Sequence, residues 1–294
     1  MNDSYSSENA IRRSLSDFSL SKQLKMRLGK LLLPLYRGRI EAVEAAPFGS
    51  DGQIHRLVRN GLYAQALEQG NFAKLRGYLS KYWGQEAKNF HDAWQDRFER
   101  MFLKHDVVVI DELEKAMASL PGDESLNHLY EIGCGGGQVL SYLADRLTSI
   151  DEFVGVDLGA AQIKANVETI DHPKMAFHAA DAVEWVPSNA NPRSIVLTNG
   201  GVFEYFLREE LQRLFAHIAG NLAPAAVAVV ETIGSDHDLD AHEESFVYGR
   251  ELSFSHNYPH LLREAGFEIV HQSERVGYEE DGGGRWMRIL AMKV

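Results

Sequence analysis

From about residue 125 onward, short apolar runs alternate with stretches of helical periodicity, the pattern left by strands joined through crossover helices. Strands are predicted at 129–132, 153–156, 175–177, 194–197, 225–231, 268–273 and 287–292, with helical segments between the first six. The last connection is different in kind. Glu279-Glu280-Asp281-Gly282-Gly283-Gly284 is a turn-forming tract too short for a helical crossover, so it makes a hairpin and the final strand runs antiparallel to its predecessor. The predicted fold class is therefore α/β, a seven-stranded, mostly parallel sheet with an antiparallel last strand.

Before that point helices dominate, so 1–122 reads as a helical N-terminal extension and 123–294 as the sheet domain. Segment 4–21 is serine-rich and predicted to be mobile, and 46–52 reads as a loop. Helices are predicted at 61–69, 71–82, 85–104 and 111–120, ahead of a Pro121-Gly122 break. Tyr78, Tyr82, Trp83, Phe90, Trp94, Phe98 and Phe102 include several residues at helical spacing, a stripe that packs the extension on the sheet domain. Within it, Tyr82, Trp83 and Arg97 are candidate lid residues. Segment 22–40 carries Lys22, Lys25, Arg27, Lys30, Arg37 and Arg39 without an acid. Contact with the acidic remainder of the chain or with a subunit partner, as in a homodimer, is at least as well supported as contact with an anionic membrane. Membrane association is not expected.

Composition narrows the function. The 294 residues, 45% hydrophobic and 24% charged, have ordinary globular proportions. A single cysteine, Cys134, excludes an intramolecular disulfide framework and a cysteine zinc cluster, which fits a reducing, cytoplasmic setting. No apolar run is long enough to cross a bilayer and the N-terminus is not a signal pattern, so a soluble protein is expected. A net charge of -12 repels a phosphate backbone, which argues against a nucleic-acid partner and favours small molecules or peptides.

The chemistry begins at Glu131-Ile132-Gly133-Cys134-Gly135-Gly136-Gly137-Gln138, where an apolar strand passes through glycines into a helix. Missing side chains let the backbone turn tightly against a ligand, and the helix start offers free N–H groups. A dinucleotide-binding turn would place its third glycine at position 138, which is Gln138, so a nicotinamide cofactor is disfavoured. Glu131 would repel a pyrophosphate and attract an ammonium. Asp157 closes the second strand, where a carboxylate can accept both hydrogens of a ribose diol, and Asp181 ends the third strand, within reach of an adenine amine. Each alone has a plainer reading: a tight turn, or helix caps at Asp157 and Asp181.

Together, Glu131-x-Gly133-x-Gly135-x-Gly137, Val156-Asp157 and Ala180-Asp181-Ala182 resemble the class I S-adenosylmethionine (SAM)-dependent methyltransferases. The resemblance spans about 126–294 and implies a Rossmann-like fold with SAM as cofactor. It further implies that Glu131, Gly133, Gly135 and Gly137 hold the methionine portion, Asp157 the ribose hydroxyls and Asp181 the adenine, with Cys134, Leu158 and Ala182 as further cofactor-site residues. Cys134 is a small filler of the turn rather than a nucleophile.

In the same family the loop after the fourth strand, Asn199-Gly200-Gly201-Val202-Phe203-Glu204, borders the methyl group, which makes Asn199 and Gly200 cofactor contacts and Phe203 a substrate contact. The loop lacks both an N-P-P-Y sequence and the acidic cluster of magnesium-dependent catechol enzymes. Methyl transfer needs alignment and, for a hydroxyl or ammonium acceptor, a base. His256, Tyr258, His260 and Glu204 are the candidates. The tract 236–244 offers His237, Asp238 and His242 as weak metal ligands, but no established metal spacing is present and no metal is expected. The predicted activity is SAM-dependent methylation of a small molecule, on oxygen or nitrogen rather than carbon. A protein or peptide methyltransferase, or a SAM-binding regulatory subunit without activity, are the alternatives.

Overall fold

A computed structural model describes residues 10–11, 18–45, 52–93, 96–249, 251–276 and 284–294. The glycine tract predicted to turn lies outside these except at Gly284, as do Trp94, residues 46–51 of the expected loop and two thirds of the serine-rich segment 4–21. Strand β1 (Ala10–Ile11) leads into helices α1 (Leu20–Tyr36), α2 (Ile40–Ala45), α3 (Gln53–Glu68) and α4 (Phe72–Ala93), a π-helical turn segment Phe98–Asp106, and α5 (Val108–Ser119). The helices expected at 71–82 and 85–104 are thus divided differently: α4 runs through Gly84 without a break, and the interruption falls between α4 and Phe98.

The sheet domain follows as β2 (His128–Ile132), α6 (Gln138–Arg146), β3 (Glu152–Asp157), α7 (Ala160–Thr169), β4 (Met175–Ala179), α8 (Ala182–Asn189), β5 (Ser194–Asn199), α9 (Arg208–Asn221) and β6 (Ala225–Ile233). After β6 come a hairpin of β7 (Ser245–Tyr248) and β8 (Ser253–Ser255), α10 (Tyr258–Glu264), β9 (Glu268–Val276) and β10 (Arg285–Lys293). The main sheet has seven strands in the order β4-β3-β2-β5-β6-β10-β9. β10 pairs antiparallel to both β6 and β9, the geometry expected of the terminal hairpin. The α/β, Rossmann-like, seven-stranded sheet is therefore present as read from the sequence.

The inner strands β3, β2, β5, β6 and β10 are buried on both faces, as a sheet covered by helices requires, while the edge strands β4 and β9 are partly exposed. Alternate residues divide between two cores: Tyr130, Val196, Val227 and Val229 join Phe215, Leu214 and Leu262 under α9 and α10. Leu129, Ile195, Leu197, Ala228 and Val230 join Leu113, Leu140 and Leu143 under α5 and α6. α5 thus packs on the sheet although it precedes Gly122.

A second, smaller sheet was not predicted. β7 pairs antiparallel with β8 and parallel with β1, replacing the simple helical crossover expected between β6 and β9. Its Val247 and Phe254 make a third core with Met26, Leu67, Phe72, Leu75 and Leu79 of α1, α3 and α4. The N-terminal helices accordingly sit on this hairpin. α1 and α3 cross closely at glycines, where a Cβ on Gly29 would lie 2.5 Å from the amide nitrogen of Gly61.

A candidate cofactor crevice and acceptor chamber

β2 ends at the carboxyl edge of the sheet and delivers Glu131 and the glycine turn to the crevice between β2 and β5. Gly133 has φ of 71° and Gly137, which starts α6, has φ of 76°. A Cβ on Gly133 would meet the Val202 side chain at 2.4 Å, so only glycine lets the turn pack on the loop after β5. The turn is pinned by Gly133 N–H donating to the Val156 carbonyl (2.7 Å) and by Asn166 Nδ2 donating to the Gly135 carbonyl (2.7 Å). Asp157 accepts from the amides of Gly135 (3.1 Å) and Gly159 (2.7 Å), which fixes its carboxylate at the edge of the crevice.

Glu131 is 2% exposed and its Oε2 has no hydrogen-bond partner. Burial, reinforced by the charge of Asp157, pushes its carboxyl well above the usual range. An orphaned buried carboxylate is costly unless a ligand completes it. An amino-acid ammonium fits that need, and the side-chain-free turn provides the space beside it. Cys134, buried in the same turn, has its thiol pushed up by burial, so it is a packing group and not a thiolate.

The crevice opens into one cavity of about 980 Å³, at the upper end for small-ligand sites. Its donor side is lined by Glu131, Gly133, Cys134, Asp157, Leu158 and Asp181, with Ala182, Asn199 and Gly200 beside them. Gly135 and Gly137 shape the turn from behind. The buried Asn199 Oδ1 is, like Glu131 Oε2, without a partner. Asp181 caps α8 through the Val183 amide (3.2 Å) and is ion-paired to Arg76 of α4 (2.8 Å), so the acid expected to meet the adenine is also a contact to the N-terminal helices.

The far side, a candidate acceptor chamber, is formed by Trp83, Arg97, Glu204, Tyr205, Tyr248 and Trp286, with Thr232 and Glu251 among them. Arg97 donates to the Gly200 carbonyl (3.1 Å) and lies over the Trp286 ring. Tyr248 donates to Glu204 (2.5 Å) and shares a hydrogen bond with Thr232 (2.6 Å), while Tyr205 donates to Glu251 (2.6 Å). Burial raises the Glu204 carboxyl above its ordinary range despite these donors. Beneath it, Glu231 accepts twice from the Val202 amide (3.0 and 2.8 Å), and burial lifts its carboxyl to about 8.

Not every predicted residue reaches this cavity. Tyr82 packs edge-on against Trp83 but does not line it, and Phe203 is fully buried among Phe206, Phe215 and Tyr258. His256 is buried and held on both sides, by Ser245 (2.7 Å) and the Phe206 carbonyl (3.0 Å), and burial lowers it to about 3. Tyr258 is fully buried under α9, and His260 sits near Glu243 and Glu264 at the surface. None of these three borders the cavity, because α10 packs its first turn into the core instead of presenting it to the crevice. His237 is buried against Ser255 and Phe246, and Asp238 caps its own loop. Among the described residues no group of three or more His, Cys, Asp or Glu is arranged to hold a metal, and His242 joins none. Sequence reasoning missed Tyr248, Thr232, Glu231 and Trp286. Only Glu231 left a signal, as a lone acid inside an apolar strand.

Residues 129–225 match a family described as a methyltransferase domain. No curated protein sequence matches the chain. Among solved structures, a SAM-dependent methyltransferase from Leishmania major is 15% identical with a TM-score of 0.51, covering 76% of this chain and 84% of its own. An S-adenosylmethionine-dependent methyltransferase from Mesorhizobium loti is 13% identical with a TM-score of 0.45, covering 62% of this chain and 98% of its own. A magnesium protoporphyrin IX methyltransferase from Synechocystis, solved with SAM bound, is 13% identical with a TM-score of 0.44, covering 90% of this chain and 97% of its own. The Leishmania structure shares the fold, and the family match falls on the segment that carries Glu131, the glycine turn, Asp157 and Asp181. Residues 129–225, from β2 to the start of β6, are thus matched as a methyltransferase domain, consistent with the class I SAM-dependent methyltransferases and with SAM as cofactor.

Proposed function

We propose that the protein methylates a small-molecule acceptor on oxygen or nitrogen, with Glu204 as the proton acceptor. The observation that carries this reading is a single cavity in which the donor-side acids and glycines face an aromatic chamber containing a buried carboxyl. Bound SAM supplies a methyl group on a sulfonium that carries its own leaving group. The chain's part is then to align the acceptor, exclude water and remove a proton. Glu131 and the glycine turn hold the amino-acid end, Asp157 the ribose, and Asn199 and Gly200 border the reacting edge. Trp83, Tyr205, Tyr248 and Trp286 wall a flat or apolar acceptor and exclude water from it.

Glu204 suits the base role because burial raises its proton affinity while Tyr248 keeps its Oε2 oriented. Aromatic and apolar walls contributed by Trp83 of α4 and by Phe98 and Met101 suit a small molecule more than a peptide laid in a groove. A cytoplasmic location belongs to the same proposal and rests on the lone buried Cys134. Incubation with methyl-labelled SAM and a fractionated metabolite extract, read by mass spectrometry, tests the proposal. A labelled small molecule is expected. SAM binding with no labelled product would leave a regulatory subunit as the function, and label only in protein would overturn the small-molecule reading.

A further inference from the structure

α1 presents an apolar stripe to solvent. Leu20, Leu24, Leu28, Leu31 and Leu35 are 83%, 59%, 42%, 74% and 79% exposed. Their spacing of three or four residues puts them on one side of the helix, opposite the buried Met26 and Gly29 that dock α1 on α3. Scattered surface leucines need no explanation, but five in one line on one helix are a contiguous patch of the kind that marks an interaction surface.

Charge says what covers it. Segment 18–40 holds six basic residues and no acidic one, in a chain of net charge -12. Lys30 is engaged by Glu68 and Lys22 is half-buried, but Lys25 and Arg27 flank the leucines on the exposed side, and Arg37 and Arg39 follow at the end of the stripe, all four exposed. A second copy of the chain fits this pattern poorly. Pairing two stripes in parallel sets Lys25 and Arg27 against themselves, and pairing them antiparallel sets them against Arg37 and Arg39, so cations meet cations either way. An anionic lipid surface satisfies both features at once: the leucines enter the acyl boundary and the flanking cations meet the headgroup phosphates. The acidic remainder of the chain is repelled by the same surface, which orients the protein with α1 facing it.

Against the expectation drawn from the sequence, which did not show that these leucines form one exposed stripe, we propose that α1 is an interfacial helix that docks the protein reversibly on anionic membranes through Leu20, Leu24, Leu28, Leu31 and Leu35 with Lys25, Arg27, Arg37 and Arg39. The helix is anchored on the body through the α1–α3 crossing, so docking requires no unfolding. The site is separate from the cofactor crevice, and the inference does not depend on which acceptor is methylated.

The test is co-sedimentation of the full chain with phosphatidylcholine vesicles, with and without phosphatidylserine. Binding to the serine-containing vesicles, weakened by added salt, is expected, with little binding to phosphatidylcholine alone. Leu24→Gln/Leu31→Gln should lower the partition about a hundredfold, since each leucine contributes the burial of a full apolar side chain. Lys25→Glu/Arg27→Glu should abolish the preference for anionic vesicles, and both variants should bind SAM as the parent does. Absence of vesicle binding by the parent, or unchanged binding by both variants, overturns the proposal. So does light scattering that shows a dimer which Leu24→Gln/Leu31→Gln converts to monomer, because the stripe would then be a subunit interface.

Discussion

Replacing Gly133 by alanine tests whether the cofactor turn is shaped by its packing on the loop after β5. Two costs are separable. Holding alanine at φ of 71° costs roughly 1–2 kcal/mol, because an L side chain in the left-handed region crowds its own carbonyl. The new Cβ would also lie 2.4 Å from one Val202 methyl and 2.8 Å from the other. Val202 cannot easily yield: its amide is held by both oxygens of Glu231, and a β-branched side chain is stiff at χ1. Overpacking of this kind costs about 1–3 kcal/mol, giving roughly 2–5 kcal/mol in all.

The cycle with Val202→Ala separates the two terms. Trimming Val202 removes the methyl contacts but leaves the backbone strain, so the double variant should recover about 1–3 kcal/mol and retain the remaining 1–2 kcal/mol loss. Urea unfolding at unchanged m-value measures the stabilities, and calorimetric titration with SAM measures whether affinity follows. Gly133→Ala should bind SAM at least about tenfold more weakly, with part of the loss restored in the double variant. A loss of less than about 1 kcal/mol in Gly133→Ala, or strict additivity with Val202→Ala, would refute the packing argument.

Asp157→Ala removes the acceptor expected to hold the ribose diol and releases the Gly135 and Gly159 amides, so SAM affinity should fall about tenfold to a hundredfold in calorimetry; normal binding would mean that the site is misplaced. Glu204→Gln should lower the methylation rate by about a hundredfold or more with SAM affinity retained, and should erase the acidic limb of the rate profile, which burial places above the ordinary carboxylate range. Burial lifts the Glu231 carboxyl to about 8 from its ordinary 4.5, so the folded chain holds its proton more tightly and this group's contribution to stability declines as pH rises through that window. Melting temperatures of Glu231→Gln should accordingly show a flatter decline over the same range, and an unchanged slope would remove Glu231 as its source. Arg76→Ala leaves Glu210 and Asp181 without their shared cation and should cost about 2 kcal/mol or more in urea unfolding, with a loss near zero showing that α4 is held by apolar contacts alone.

What could be read from the chain alone followed from how local each signal is. The glycine turn, Glu131 and Asp157 lie within or at the ends of consecutive strands, so spacing along the sequence maps directly onto one crevice. The seven strands were legible because alternate residues face two different cores, and the terminal hairpin because no helix fits in the tract between β9 and β10. The acceptor chamber was not legible. Trp83, Glu204, Tyr248 and Trp286 come from α4, the loop after β5, β7 and β10, and nothing in their spacing predicts that they meet. His256 and Tyr258 misled for a related reason: histidine and tyrosine suggest chemistry by type, whereas the Asn257 cap on α10 turns both into the core. The β7–β8 hairpin was hidden by the acidic tract before it, which reads as solvated loop.

Asp181 shows why the two halves of the cavity are coupled more closely than a separate extension and sheet domain would be. As the residue closing the third strand's connection it sits on the donor side, yet Arg76 of α4 reaches it at 2.8 Å while also contacting Glu210 at 3.1 Å and lying over Phe206. The same helix carries Trp83 into the acceptor chamber, where its ring meets Tyr205. α4 is thereby tied to the sheet domain at the adenine end and lends a wall at the acceptor end. A change that shifts Asp181 therefore acts on Trp83 through one rigid helix, and a change that displaces α4 removes a counter-charge from the donor side. Donor affinity and acceptor fit should consequently move together in Arg76→Ala, and separately in Glu204→Gln, whose carboxyl contacts only the acceptor half.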